Sequence, residues 1–314
     1  MKTRLFIATA LAAVASAWPA FAQKSDQTDG NLIVVTAQRT TALNLDSVAE
    51  EELATGPDAA AFIGRQPGMA LVDNGTLSGQ VQMRGLFGER ISLRINGQHF
   101  ATGGPNAMDP AMHYAPMALI DRVEIARGAS PVRDGPGFGG GVNAVLKQAH
   151  FGDAGALSPQ VDVSAQYRSV DDSVSAGGTV GLANDRVRVG AIASWEQGDD
   201  TRFPLGRVGG TGFERAVYGV HAGFQTGPGE ISLEYRRQDT GRSGNPPFAM
   251  DIIYFHTDFV SAKFEGEVAE KLTLEAYTDY SGVKHRMNNF ALRSTPAVAA
   301  TRQSDTFADT LWAG

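Results

Sequence analysis

The sequence has no cysteine among its 314 residues, so no disulfide framework stabilises the fold. Beyond residue 22 it has no apolar run of the roughly 20 residues that a membrane-spanning helix requires. Basic residues are in the minority, with 27 Lys and Arg against 34 Asp and Glu, and the formal net charge is −7. Because nucleic-acid binding depends on basic surfaces, we expect no nucleic-acid partner. A transmembrane barrel stays compatible with these absences, since its strands alternate apolar and polar residues.

The first 22 residues have the three parts of an export signal. Lys2 and Arg4 are basic, Leu5 to Ala17 is apolar, and Ala20-Phe21-Ala22 matches the small-residue cleavage pattern. The apolar part is shorter than a membrane anchor requires. We therefore predict a signal peptide over residues 1–22, whose removal takes the formal charge to −9.

Turn and strand signals concentrate in residues 81–146 and predict a compact globule. Ile91 to Ile95 alternates and meets Asn96-Gly97, the pair most typical of a tight hairpin. Ile120 to Ala126 alternates again. Upstream, Ser47 to Gly64 mixes acidic and small apolar residues and predicts short helical pieces.

After about residue 151 the sequence consists of long alternating segments. Val161 and Val163, for example, share one face opposite Asp162 and Ser164. Segments of about ten residues suit strands that cross a bilayer at a tilt. Short turns alternate with long loops, and aromatic residues lie near the loop ends, which is typical of outer-membrane barrels. These aromatic residues are Tyr167, Trp195, Tyr218, Tyr235 and Tyr280. A soluble β-sandwich, the alternative, would have shorter strands and no such girdle.

The motifs in residues 81–146 resemble those of the TonB-dependent outer-membrane receptors. The hairpin pattern of that family's plug domain, R-G … R … V-L-V-D-G, is matched by Arg84-Gly85, Arg90 and Ile91 to Gly97. Its R-V-E-V-x-R-G … Y-G … G-G-V-N segment is matched between Arg122 and Asn143, except that Arg133-Asp134-Gly135 stands where the family usually has the Tyr-Gly pair. The resemblance assigns these residues to the plug scaffold: Arg84, Gly85, Asn96, Gly97, Arg122, Glu124, Arg127, Gly128, Gly140 and Gly141.

The resemblance also implies a domain order and a cellular location. Residues 42–150 would form an α+β plug domain, and residues 151–314 the first part of an antiparallel transmembrane β-barrel. Such a barrel has about 22 strands when complete, whereas seven or eight fit here, so we expect the chain to be a fragment. The family resemblance places the protein in the outer membrane of a Gram-negative bacterium, in contact with its lipid.

A short β-branched stretch lies within the polar N-terminus, residues 23–41, that we expect to be flexible. It consists of Leu32, Ile33, Val34, Val35, Thr36 and Ala37. By residue type it fits either an edge strand of the next domain or a strand that pairs with a partner's sheet. The resemblance implies the second, because the TonB box of the family, which binds TonB on the periplasmic side, occupies this place.

A Gly/Pro-rich insert between Thr102 and Met117 holds the candidate ligand residues. Three of the eight methionines and one of the six histidines fall in it, namely Met108, Met112, His113 and Met117. Thioether sulfur suits Cu(I), and imidazole suits copper or zinc. One helical turn would place Met108 and Met112 on the same face, beside His113. The alternative is that the methionines fill gaps in an irregular loop.

The insert also resembles the equivalent segment of copper receptors in the family, where Asn-x-Met-(Asp/Ser)-Pro-Pro precedes Ser/Thr-Tyr. The matching residues are Asn106, Met108, Asp109, Pro110 and Tyr114. Gly104 stands where those receptors often have a cysteine, and Ala111 replaces the second proline. The transported substrate is thus expected to be copper, another metal or a metal chelate.

Catalysis is not expected. The run from Gly135 to Gly141 lacks the Lys-Ser/Thr of a phosphate-binding loop, and no helix pattern follows it. We therefore expect a receptor that imports a scarce metal ion or chelate with energy transmitted by TonB, and that has no intrinsic cofactor. The alternative is an outer-membrane barrel that acts only as a binding surface or porin.

Overall fold

The computed structural model describes residues 58–77, 79–99, 110–128, 137–153, 155–294 and 296–314, and the backbone of residues 45–49. We call its described part up to residue 150 the plug. The remainder is built on an open, eight-stranded antiparallel sheet, which we call the wall. The predicted TonB box, Leu32 to Ala37, and Met108 lie outside the described residues.

The plug is a small α+β unit. Its strands are β1 (Leu45–Ala49), β2 (Met69–Val72), β3 (Gln80–Met83), β4 (Ser92–Ile95), β5 (Ile120–Arg127) and β6 (Gly140–Leu146). One sheet has the order β1-β5-β6-β4, and β2 pairs with β3. Its helix, α1, is Ala59–Ile63, and short 3-10 turns lie at Gly88–Arg90, Ala111–Tyr114 and Met117–Leu119.

The expectation of helical pieces from Ser47 to Gly64 is wrong at its start. Residues Leu45–Ala49 form β1, which pairs antiparallel with β5, so that Val48 lies opposite Val123. This pairing partner is distant in sequence, and it overrides the weak local preference of small and acidic residues. The helical expectation holds for α1, which begins after the N-cap residue Asp58.

The predicted Asn96-Gly97 turn is present, but the hairpin is wrong. Both residues have positive φ, 52° and 78°, as such a turn requires. The chain returns with a single bridge, between Ile95 and Gln98. Strand β4 instead pairs in parallel with β6, with Ile95 opposite Ala144. Local turn chemistry was therefore readable from the sequence, while the pairing partner was not.

The wall strands run in sequence order across the sheet. They are β7 (Ser158–Arg168), β8 (Ser173–Ala183), β9 (Val187–Gly198), β12 (Phe213–Gln225), β13 (Gly229–Thr240), β14 (Asp251–Ala269), β15 (Leu272–Asn288) and β16 (Gln303–Ala313). A small hairpin, β10 (Arg202–Phe203) with β11 (Gly206–Arg207), lies between β9 and β12. Strand lengths of 11 to 19 residues exceed those usual in soluble sheets.

The two ends of the wall differ in their connections. Residues 199–212, 241–250 and 289–302 form long connections at one end. The other end has tight turns, at residues 184–186, 226–228 and 270–271. We call these the loop end and the turn end.

The two faces of the wall also differ. The inward face packs on the plug, and its side chains such as Phe255, Phe259 and Val283 are buried. The outward face is apolar and exposed, and it carries all five of the predicted girdle aromatics. Three girdle tyrosines donate a hydrogen bond of 2.9 Å to an aspartate of the next strand: Tyr218 to Asp239, Tyr235 to Asp258, and Tyr280 to Asp309. Rings of this kind, apolar in body and polar at the tip, suit a membrane interface.

Strand β14 contains two register shifts that interrupt the regular alternation of its side chains. The register between β14 and β15 shifts between Ile252 and Tyr254, and again between Glu267 and Ala269. Each shift moves the following side chains to the other face. Among the described residues, no helix is both long and apolar enough to cross a membrane.

Candidate functional site

The turn Ala111–Tyr114, which we call the Met-His turn, carries Met112 and His113 at the loop end. Pro110 precedes it with φ −66° and ψ 152°, an extended conformation from which the turn begins. The side chains of Met112, His113 and Tyr114 are all buried, with at most 1% of their surface exposed. The Met-His turn therefore lies inside the contact between plug and wall.

Both ring nitrogens of His113 have hydrogen-bond partners. Its Nδ1 lies 2.9 Å from the carbonyl oxygen of Leu77, and its Nε2 lies 3.1 Å from Oγ1 of Thr240 on β13. Because a carbonyl oxygen can only accept, Nδ1 must carry the proton, and Nε2 then accepts from the Thr240 hydroxyl. Burial lowers the pKa of His113 to about 3, and the positive charge of Arg215 adds to this effect. In this state the neutral imidazole joins the plug to the wall.

Aromatic rings surround the Met-His turn. The ring centroid of Phe255, on β14, lies 5.2 Å from His113 and 4.3 Å from His285 on β15. Tyr114 packs edge-on against Phe259 at 5.1 Å. These rings exclude water, so any ligand bound here would exchange hydration for protein contacts.

The wall supplies two further soft donors that the sequence reasoning missed. His285 and Met287 alternate on β15, so both face inward, and they are 2% and 3% exposed. Met287 and Met112 belong to the same buried core cluster. The Nε2 atom of His285 has no hydrogen-bond partner among the described residues. The signal available in the sequence was the His-x-Met spacing of these two residues.

The remaining predicted ligand residues take different positions. Met117 is half-buried at the start of a short 3-10 turn and packs against the core cluster. Within the described ranges, no three His, Cys, Asp or Glu side chains are grouped so as to hold a metal ion. That donor set does not include methionine. The structure thus places Met112 and Met287 in one buried core cluster, and the ring of Phe255 contacts the rings of both His113 and His285.

The predicted scaffold residues fix the turns of the plug. Arg84 and Gly85 both have positive φ, 51° and 79°. The Asn96 amide donates to Glu234 of the wall at 2.7 Å, and its Oδ1 accepts from the backbone of Leu146 at 2.7 Å. One turn residue therefore ties together two plug strands and the wall.

The segment from Arg122 to Ile125 forms a side-chain network on the plug sheet. Nε of Arg122 donates to Glu124 at 3.0 Å, and the Asn143 amide donates to the other oxygen of Glu124 at 2.9 Å. Nε of Arg127 donates to the carbonyl of Pro67 at 3.0 Å. Two glycines that follow have positive φ angles, 118° at Gly128 and 124° at Gly140. Gly141 continues into β6 and pairs with Ser92 of β4.

A second, polar cavity lies between plug and wall, mainly towards the turn end, with a volume of about 570 Å³. Its lining includes Arg94, Arg122, Lys263, Glu265 and Glu275. No methionine is among the described lining residues. Its mixed charges contrast with the soft, apolar surroundings of the Met-His turn.

Comparisons with known proteins found a matching domain family and similar solved structures. Residues 36–142 match the family model of the TonB-dependent Receptor Plug Domain. The solved structure of the copper transporter OprC is similar at 23% identity and a TM-score of 0.76, with 85% of this chain and 42% of OprC covered. No curated protein matches the sequence.

Two siderophore receptors are also similar. PirA from Acinetobacter baumannii has 15% identity and a TM-score of 0.63, with 86% of this chain and 44% of PirA covered. The ferric enterobactin receptor PfeA has the same identity and TM-score, with 87% and 46% covered.

Residues 36–142 thus match the plug domain of TonB-dependent receptors, a family of transport receptors, and the plug-and-wall fold is the fold of the similar solved receptors. The chain spans 42% to 46% of the lengths of these three solved receptors.

Proposed function

We propose that the protein is an outer-membrane receptor of a Gram-negative bacterium that binds a soft metal ion or its chelate at the Met-His turn and imports it. The observation that carries this proposal is the burial of soft donors on both sides of the contact between plug and wall. Met112 of the plug and Met287 of the wall belong to one core cluster, and Phe255 contacts both His113 and buried His285. Thioether sulfur and a neutral imidazole nitrogen are the ligands that Cu(I) prefers. The buried Nε2 atom of His285, which has no hydrogen-bond partner among the described residues, also supports this proposal. A buried polar atom normally has a partner in the functional state.

The position of the cluster fits a gated site. The donors come from both sides of the contact between plug and wall, so bound metal would bridge the two parts. A movement of the plug would then separate Met112 from the wall residues and release the ion. His113 has a different role in this proposal, because using its Nε2 as a ligand would first break the bond to Thr240. Met108 and Met117 remain proposed contributors from the neighbouring insert.

Copper is the favoured substrate because of the donor set and because a similar structure is a copper transporter. Gly104 provides no thiolate at the position where the resembling receptors often have a cysteine. A chelated metal would need fewer protein ligands than a free ion. The substrate class is therefore a soft metal ion or a chelate that presents one.

Metal competition on the purified natural gene product tests the site. Cu(I), Zn²⁺ and Ni²⁺ would be compared for Met112→Leu, His285→Ala and Met287→Leu, with Met83→Leu as the matched control. Met83 is also buried in the core, at 1% exposure, and leucine keeps the volume of methionine while removing its sulfur. We expect each site variant to weaken Cu(I) binding about ten-fold or more and the control to leave it unchanged. Cu(I) affinity that is equal in all four variants would overturn the assignment.

Energy coupling is the second part of the proposal. Leu32 to Ala37 would be the TonB box that pairs with TonB in the periplasm, following a signal peptide over residues 1–22. The exposed apolar outer face of the wall would contact membrane lipid. The proposed mechanism needs no covalent chemistry, since it consists of binding, release of the box and a force-driven movement of the plug.

A further inference from the structure

The long connections at the loop end contact one another and the plug. We call them, in chain order, the first, second and third loops: residues 199–212, 241–250 and 289–302. The backbone N–H of Gly244, in the second loop, donates to the carbonyl of Gly212, in the first loop, at 2.9 Å. Oγ1 of Thr76, in the plug, donates to the carbonyl of Thr211 at 2.6 Å. The first loop is therefore bonded both to the plug and to the second loop.

Arg293, in the third loop, holds the second loop with four hydrogen bonds. Its Nε and Nη2 donate to the two carboxylate oxygens of Asp251, which follows the second loop, at 2.6 and 2.7 Å. Its Nη1 donates to the carbonyl of Phe248 at 2.7 Å, and its Nη2 also donates to the carbonyl of Asn245 at 2.8 Å. The Asp251 side chain is fully buried, and forked pairs of this kind are among the strong hydrogen-bonded contacts in proteins. One guanidinium thus fixes both the backbone and the end of the second loop.

The second loop packs on the core that contains two of the candidate donors. Its Phe248 and Met250 contact the core cluster to which Met112 and Met287 belong. Because Arg293 binds the carbonyl of Phe248, its hydrogen bonds fix the part of the loop that packs on this cluster. Met112 and Met287 are only 1% and 3% exposed. A ligand can therefore reach their sulfur atoms only after some part of the surrounding structure has moved.

We propose that Arg293 is a positioning residue that keeps the second loop closed over Met112 and Met287, and that ligand enters from the loop end when this loop opens. The first loop restricts the opening, because a Cβ atom on Gly244 would lie 1.7 Å from the carbonyl oxygen of Gly210, so the two backbones are in direct contact. The proposal rests on the proposed function only in regarding Met112 and Met287 as ligands. Access to their sulfur atoms is a property of the protein without ligand.

Methionine oxidation without any metal measures this access on the natural gene product in detergent. Hydrogen peroxide converts an accessible thioether to a sulfoxide, so the rate at a buried methionine, followed by mass spectrometry, reports how often its surroundings open. Arg293→Leu removes the four hydrogen bonds and keeps an apolar stem. We expect it to raise the oxidation rates of Met112 and Met287 about ten-fold or more. The rate at Met83, which is 1% exposed in the plug, should stay unchanged.

Arg168→Leu is the matched control. Arg168 is 31% exposed, as against 29% for Arg293, and it also donates from two nitrogens to a fully buried aspartate, Asp171. That pair fixes the connection between β7 and β8, so its loss should leave the oxidation of Met112 and Met287 unchanged. Arg293→Lys keeps the charge without the forked geometry and should give intermediate rates.

Cu(I) binding kinetics give a second readout, which distinguishes access from ligation. Arg293 holds the loop closed both before and after binding. Arg293→Leu should therefore raise the association and dissociation rate constants by similar factors, about ten-fold, and leave the dissociation constant nearly unchanged. Met287→Leu should instead weaken the affinity, because it removes a proposed ligand.

Three oxidation results would overturn the proposal. They are unchanged rates at Met112 and Met287 in Arg293→Leu, an equal rise at Met83, which would indicate general loosening, and an equal rise in Arg168→Leu. If Arg293→Leu does not fold, Arg293→Lys gives the same comparison. All of these rates are measured without metal. Failure of the proposed access route is therefore distinguishable from failure of metal binding, which the competition experiment measures separately.

Discussion

Replacing Asp58 by Asn should change how the stability of the plug depends on pH. Burial raises the pKa of Asp58 from 3.8 to about 7, so the folded state binds this proton more tightly than the unfolded state. Stability is then greatest below the unfolded pKa, falls as the pH rises from about 4 to about 7, and is constant above that. One pKa unit corresponds to about 1.4 kcal/mol, so ionisation of Asp58 costs about 4 kcal/mol in total.

Asparagine resembles the neutral form of this side chain and keeps the N-cap acceptor. Asp58→Asn should therefore match the natural protein at about pH 4 and exceed its stability by up to about 4 kcal/mol at about pH 8. Urea unfolding would be followed by the fluorescence of Trp312, whose ring lies 5.4 Å from His99 of the plug. The substitution Trp195→Phe would remove the background fluorescence of the tryptophan on the outward face. If the unfolding free energies of the natural protein and Asp58→Asn differ by the same amount at every pH, the pKa of Asp58 is not raised in the folded state.

Two further variants test the packing of the plug against the wall and the plug's own turns. Phe255→Ala removes a fully buried ring that contacts both His113 and His285, and it should lower the unfolding free energy by about 3–5 kcal/mol in the same urea assay. An unchanged midpoint would contradict this packing. Gly140→Ala would place a Cβ 2.3 Å from the carbonyl of Ala126, at a residue whose φ is 124°. We therefore expect the unfolding free energy to fall by about 1–3 kcal/mol or more in the same urea assay. An unchanged unfolding free energy would mean that this backbone is not strained.

Much of the wall could be predicted from residue order alone. Alternation is a local property, and in strands such as β7 it directly reflects which side chains face the plug. Strand β14 departs from simple alternation, because its register shifts near Ile252 and Glu267 interrupt the period of two. A shift of this kind depends on the neighbouring strand, which a single alternating pattern does not contain.

The plug was less predictable because its pairings are distant in sequence. The Asn96-Gly97 turn could be predicted from its two residue types. The parallel partner of β4 is β6, which lies beyond the Gly/Pro-rich insert in the sequence. Strand β1 has no strong local signal and forms because β5 offers it an edge. Sequence reasoning recognised such elements best where a motif or a turn residue constrains the backbone.

Only part of the candidate site could be predicted from the sequence. Met112 and His113 were chosen by residue type, and the structure buries both. The sequence did not show that Leu77 and Thr240 use both nitrogens of His113. Nor did it point to Arg215, whose buried side chain contacts Glu196 and a backbone carbonyl about a hundred residues away in sequence. Side chains that act through tertiary contacts leave no local pattern.

Copper uptake by cells that produce the protein distinguishes an energy-coupled receptor from a passive channel. Uptake would be measured for the natural protein, for a deletion of Leu32 to Ala37 and for Met287→Leu, each in cells with and without TonB. We expect the deletion to abolish TonB-dependent uptake while Cu(I) binding to the purified protein persists, and we expect Met287→Leu to weaken both. Uptake that is unaffected by the deletion or by the absence of TonB would contradict an energy-coupled receptor and would favour passive diffusion through a porin.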